Sequence, residues 1–139
     1  MRGLKKAKEC LLSGEYTCVL YKEDALITST RRGVSPLVKW LEAGDDFNGY
    51  YAADKVVGKA TAFLYVLLGV TAVYARVISE PALEVLKTYE IEVVYDTVVE
   101  HIINRQGDGI CPFEAAILTV DTAETAYKMI LDKMKEMGL

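Results

Sequence analysis

Apolar positions along residues 2–12 fall at Leu4, Leu11 and Leu12 with Ala7 and Cys10 between them, the spacing of one helix face, and the stripe ends before Gly14. The pattern then changes period. Tyr16 to Tyr21 and Ala25 to Thr30 are β-rich runs separated by Lys22, Glu23 and Asp24, a polar turn of hairpin length. After a loop at Arg31 to Val34, Ser35 is placed to cap a short helix that has Pro36 at its first position and runs through Trp40 to Gly44. Gly44 to Gly49 is a polar connection.

From Ala53 to Leu68 the apolar positions Val56, Val57, Ala60, Phe63, Leu64, Leu67 and Leu68 cover most of a helix surface, which predicts a central buried helix. Thr71 to Ile78 reads as a buried strand, Pro81 to Lys87 as a helix opened by its proline, and Ile91 to Tyr95 as another strand. A strand, a helix and a strand at this spacing predict a parallel βαβ unit. The tail offers a glycine-bearing loop, NRQGDGICPFE, a helix over Pro112 to Val120, and an amphipathic helix from Thr122 through Tyr127, Ile130, Leu131 and Met134. The expected class is α/β: three layers, α-β-α, around a mixed sheet that joins an N-terminal hairpin to the parallel unit.

Composition narrows the function classes. The 139 residues carry no internal repeat or linker and predict one domain over 1–139, and 52% hydrophobic residues supply a core. A net charge of −4 argues against a broad nucleic-acid face, and the one basic cluster, Arg2, Lys5, Lys6 and Lys8, reads as the solvated side of the first helix. The longest charge-free apolar stretch, Ala60 to Ala75, is too short to span a bilayer, and the charged N-terminus does not read as a signal peptide. Three cysteines at unrelated spacings, Cys10, Cys18 and Cys111, suit a reducing, cytoplasmic setting. One histidine, His101, and no paired cysteines make a metal site an unexpected feature, and no cofactor is expected.

The order of elements resembles the cytidine-deaminase-like fold. Zinc nucleobase deaminases carry His-x-Glu at the start of the central helix and Pro-Cys-x-x-Cys at the start of the next. The corresponding places here are read as Ala53-Asp54-Lys55 and Pro81-Ala82-Leu83-Glu84-Val85. Alanine and valine cannot ligate a metal, so the resemblance implies the scaffold without zinc-dependent deamination. The stretches TRRGVSP, AADKVVGKA, ISEPA and NRQGDGICP also resemble an uncharacterised prokaryotic family, domain of unknown function 1893, which implies this fold and brings no reaction with it.

Several residues carry chemistry on paper. Lys55 and Lys59 stand four apart in the first turns of the expected central helix, where the dipole disfavours cations, so either an anionic ligand or the carboxylates Asp54, Glu80 and Glu84 should compensate. Asp54 is a helix cap or a general base, and Glu80 is a cap or part of the pocket floor. Asn104, Arg105 and Asp108, in the loop with Gly107 and Gly109, form an ordinary turn or an anion-binding loop. Cys111, ahead of Pro112 with Glu114 three residues on in a capping-like arrangement, is a structural residue or a nucleophile that would need His101 as its base. Tyr50, Tyr51 and Trp40 read as packing residues.

These residues frame three expectations. The first is a binding protein or enzyme for an anionic small molecule, with a nucleotide suggested by the resemblance. The second is a non-enzymatic interaction module that forms homo-oligomers or engages a protein partner. The third is a thiol enzyme using Cys111.

Overall fold

A computed structural model describes residues 2–31, 33–104 and 106–139. Its elements run α1 (Arg2–Ser13), β1 (Cys18–Lys22), β2 (Ala25–Ser29), α2 (Ser35–Glu42), β3 (Tyr51–Val57), α3 (Lys59–Leu68), β4 (Ala72–Ser79), α4 (Glu80–Thr88), β5 (Glu92–Val99), α5 (Pro112–Ala116) and α6 (Ala123–Glu136). The five strands lie in the order β2-β1-β3-β4-β5. Strand β1 is antiparallel to β2 and β3, while β3, β4 and β5 are mutually parallel. With helices on both faces, this is the three-layer, mixed-sheet α/β arrangement expected from the sequence.

The two faces are unequal. One is covered by α1, whose Leu4, Ala7 and Leu11 pack on Val19, Ala53, Ala72 and Tyr74. The other meets α2, α3 and α4, with α5 and α6 extending the same cluster through Phe113, Ala126 and Ile130. Burial on this side supplies the main driving force, on the order of 25 cal/mol for each Å² of apolar surface removed from water.

The main correction concerns residues 51–57. The sequence places the start of a helix at Ala53, but Tyr51–Val57 is the central strand β3 and the helix begins only at Lys59. Ala52 and Ala53 are fully buried on opposite faces, and the small side chains let α1 and α3 approach the sheet. Alanine has poor strand propensity, so only tertiary packing selects the strand. Gly58, extended at φ −92° and ψ 178°, then turns the chain into α3.

Smaller departures share this origin. Ser35 lies within α2, and Val34 occupies the cap position without a side-chain bond, so Ser35 is not the cap. Strand β5 continues four residues beyond Tyr95, and α5 ends at Ala116. Thr122 does cap α6, its hydroxyl accepting from the Thr125 N–H.

The side-chain alternation of β3 and β4 slips by one residue beside Lys55 and Arg76. Ala52 and Ala75 face the α3 side, and so do Val57 and Ile78. Val56, directly beside Val77 in the register, is turned out and left 46% exposed. The slip fixes what surrounds the ends of the parallel strands.

Candidate functional site

The starts of α3 and α4 converge beside the carboxyl ends of β3 and β4, where free backbone N–H groups accumulate. In this chain those donors are met from within. Glu114, on α5 and 1% exposed, accepts at Oε1 from the Lys59 N–H at 3.3 Å and from the Ser79 hydroxyl, and at Oε2 from the Ile102 N–H. Ser79 Oγ in turn accepts from the Ala82 N–H and caps α4. Gly58 leaves the room this needs, since a Cβ there would stand 3.1 Å from Ile102 and 3.6 Å from the Glu114 carboxyl. The capping-like pairing of Glu114 with Cys111 is therefore replaced by a bridge that ties α5 to α3, to β4 and to the segment that follows β5. The sequence signal was a lone carboxylate in the apolar run Phe113 to Leu118, three residues before the buried Ile117.

Zinc does not fit this place. The buried side chains at the two helix starts are those of Lys59, Ser79, Ala82 and Val85, and Glu114, the buried carboxylate beside them, already accepts three hydrogen bonds, while Glu80 in the first turn of α4 is exposed. Among the described residues no group of three or more His, Cys, Asp or Glu is arranged to hold a metal.

Beside this bridge lies a cavity of about 320 Å³ between α3, α4 and the chain leading into α6. Its walls include Lys59, Phe63, Glu84, Tyr89, Leu118 and Asp121. Lys59 is only 9% exposed, and its Nζ donates to the Leu118 carbonyl at 2.7 Å and lies 5.9 Å from the Phe63 ring centroid. Among the described residues no carboxylate stands within ion-pair distance of it. An ammonium has three N–H donors, so one bond leaves two for a ligand.

A larger groove of about 640 Å³ opens at the carboxyl ends of β3, β4 and β5, on the other side of Ile102, lined by Val56, Val77, Val99, Ile103 and Ile110 among others. Its walls are aliphatic apart from Glu100 and His101, and the His101 Nδ1 is buried without a hydrogen-bond partner among the described residues. It lacks converging polar groups, so the smaller cavity is the better site.

The other expected site residues are dispersed. Asp54 and Lys55 lie on β3 and not at the helix start, so they do not join Lys59 in the cavity. Asp54 is sealed in the core: Tyr65 donates to its Oδ2 at 2.6 Å, the Val56 N–H to its Oδ1 at 3.2 Å, and Cys18 Sγ lies 3.0 Å from the Tyr65 hydroxyl. Burial pushes the Asp54 carboxyl up to about 7, against the opposing pull of bonds from Tyr65, Val56 and Lys55. Burial, then the Asp54 charge, likewise push the Cys18 thiol and the Tyr65 phenol up.

Lys55 is half-buried, its backbone N–H donating to the Thr17 carbonyl. Glu80 is exposed in the first turn of α4, where the helix dipole favours it. Asn104 Oδ1 accepts from the Gly107 and Asp108 N–H groups while its Nδ2 donates to Asp108 Oδ1, which closes the loop on itself. Arg105 lies outside the described residues. Cys111 is half-buried at the start of the five-residue α5, its N–H donating to the Ile102 carbonyl, and no hydrogen bond joins it to His101 among the described residues. Trp40, Phe47 and Tyr50 pack edge to face at 5.5 and 5.1 Å, a packing role.

Among curated proteins, none matches the sequence. A solved DUF1893 family protein from Thermotoga maritima is similar at 27% identity and a TM-score of 0.88, over 95% of this chain and 90% of that one. A dCMP deaminase from the cyanophage S-TIM5 is similar at 15% identity and a TM-score of 0.42, over 70% of this chain and 94% of that one. A diaminohydroxyphosphoribosylaminopyrimidine deaminase/5-amino-6-(5-phosphoribosylamino)uracil reductase, also from Thermotoga maritima, is similar at 15% and 0.44, over 85% of this chain and 40% of that one. The sequence model described as a domain of unknown function, DUF1893, matches residues 6–134, and over that span the chain belongs to the DUF1893 family.

Proposed function

We propose that the chain is a small-molecule-binding protein whose ligand seats an anionic or carbonyl oxygen on Lys59 in the cavity between α3 and α4. The observation that carries this reading is a lysine only 9% exposed, its ammonium bonded to one backbone carbonyl and, among the described residues, to no carboxylate. Burying a charge without a counter-charge is costly, and a ligand oxygen offsets that cost. A nucleotide would enter base first, because Glu84 and Asp121 line the same cavity and repel phosphate. We place the protein in the cytoplasm on its three free cysteines.

Lys59→Met keeps the length and apolar stem of the side chain and removes the donors. It is expected to weaken binding of any ligand that raises the wild-type melting temperature by about tenfold or more, with the ligand-free fold retained. Thermal-shift titrations of both proteins against nucleotides, amino acids and short carboxylic acids check this. Equal responses of the two would refute the role of Lys59.

A second reading, assembly with further copies, is favoured by the edge strand β5, which exposes Val94, Tyr95 and Val98 beside backbone groups that pair on one side only. Edge strands usually carry charges that block such pairing. Light scattering should then give an oligomer for the wild type and a monomer for Val94→Lys/Val98→Lys, whereas one mass for both would remove this reading.

A further inference from the structure

We infer that the ligand of the α3–α4 cavity is a small zwitterion of the α-amino-acid type with an apolar side chain, an inference that rests on the reading of Lys59 as a ligand-holding group. Charge and depth together carry it. Lys59 is the deep cation at 9% exposure, while Glu84 and Asp121 are exposed carboxylates on the wall of the same cavity. Phe63, Pro81, Val85 and Val120 make the wall between them apolar.

Each simpler ligand leaves one of these features unmatched. A phosphate dianion would bring two negative charges to a cavity that already holds two carboxylates against one ammonium. A plain carboxylate matches Lys59 but offers nothing to the acidic rim, and a plain amine does the reverse. An ammonium carboxylate matches both, its carboxylate inward on Lys59 and its ammonium outward toward Glu84 and Asp121. The side chain then lies against Phe63, whose ring is held by an edge contact from Tyr89 at 6.3 Å. Tyr89 is itself fixed, its hydroxyl accepting from the Ala123 N–H at 3.2 Å. At about 320 Å³ the cavity is at the small end of ligand sites, which suits a molecule of this size.

Isothermal titration of the full chain at neutral pH tests this with L-leucine and L-phenylalanine, each beside its single-charge analogues: 4-methylpentanoate and 3-phenylpropionate for the acids, 3-methylbutylamine and phenethylamine for the amines. One of the amino acids is expected to bind at least about tenfold tighter than either of its analogues. The exposed pair Glu84→Gln/Asp121→Asn, whose melting temperature should stay at the wild-type value, is expected to erase that margin over the acid without weakening the acid itself. An acid, or CMP, that binds as tightly as the amino acids while Lys59→Met abolishes its binding would overturn the zwitterion and leave the Lys59 site standing. Binding of these probes that Lys59→Met leaves unchanged would overturn both, and failure of both amino acids to bind would overturn the zwitterion.

Discussion

Replacing Glu114 by alanine is expected to lower the unfolding free energy by about 3–5 kcal/mol, because one buried carboxylate serves three donors from α3, β4 and the segment that follows β5. The Lys59 and Ile102 N–H groups lose their acceptor, Ser79 loses the partner of its hydroxyl proton, and a void opens beside Gly58. Each such bond to a charged group contributes on the order of 1.5–3 kcal/mol, and shared relaxation keeps the sum below three full terms. Glu114→Gln keeps the volume and one carbonyl oxygen, so about half the loss is expected. Urea denaturation of the three proteins measures both, and a change under about 1 kcal/mol for alanine would mean that water serves the donors as well as the carboxylate does.

The second large effect is a pH dependence set by Asp54. Its carboxyl ionises near 3.8 in an ordinary setting and at about 7 in the fold, where burial outweighs the hydrogen bonds it accepts. Between these values the unfolded chain has released its proton while the folded chain keeps it. Stability therefore falls as pH rises from about 4 to about 7, and the penalty is complete above that range. The difference is on the order of 4 kcal/mol.

Asp54→Asn removes the ionisation and keeps an acceptor for the Val56 N–H and a donor toward the Tyr65 hydroxyl. The variant is expected to be more stable than the wild type at pH 8 and to converge on it near pH 4. Melting temperatures of the pair from pH 4 to 8 check this, and parallel curves would contradict a folded-state ionisation near neutrality.

The legible part of the fold was the part written in amphipathic periods. The α1 stripe, the hairpin, the Pro81 helix and the Thr122 start all follow from local chemistry that packing reinforces. Strand β3 was hidden because a central strand buried on both faces has no polar alternation to display. Its Ala52 and Ala53 were chosen for close packing and carry no strand signal of their own. That miss displaced two of the expected site residues, Asp54 and Lys55, from a presumed helix start to the middle of the sheet. Lys59 kept its place at a helix start for the reason first given, a cation where the dipole disfavours one. Its neighbours around the cavity, Glu84, Leu118 and Asp121, come from segments far apart in sequence that only the packing of α4 and α6 on α3 assembles.

The central claim, that Lys59 and the α3–α4 cavity hold the ligand, is tested most directly by methyl-resolved NMR of the labelled full chain titrated with L-leucine, 4-methylpentanoate and CMP. Val85, Leu118 and Val120 line that cavity, whereas Val56, Val77, Ile103 and Ile110 line the other groove. The expected result is saturable shifts at the first three residues that vanish in Lys59→Met. Shifts confined to the second set, or shifts at the first three that persist in Lys59→Met, would contradict it.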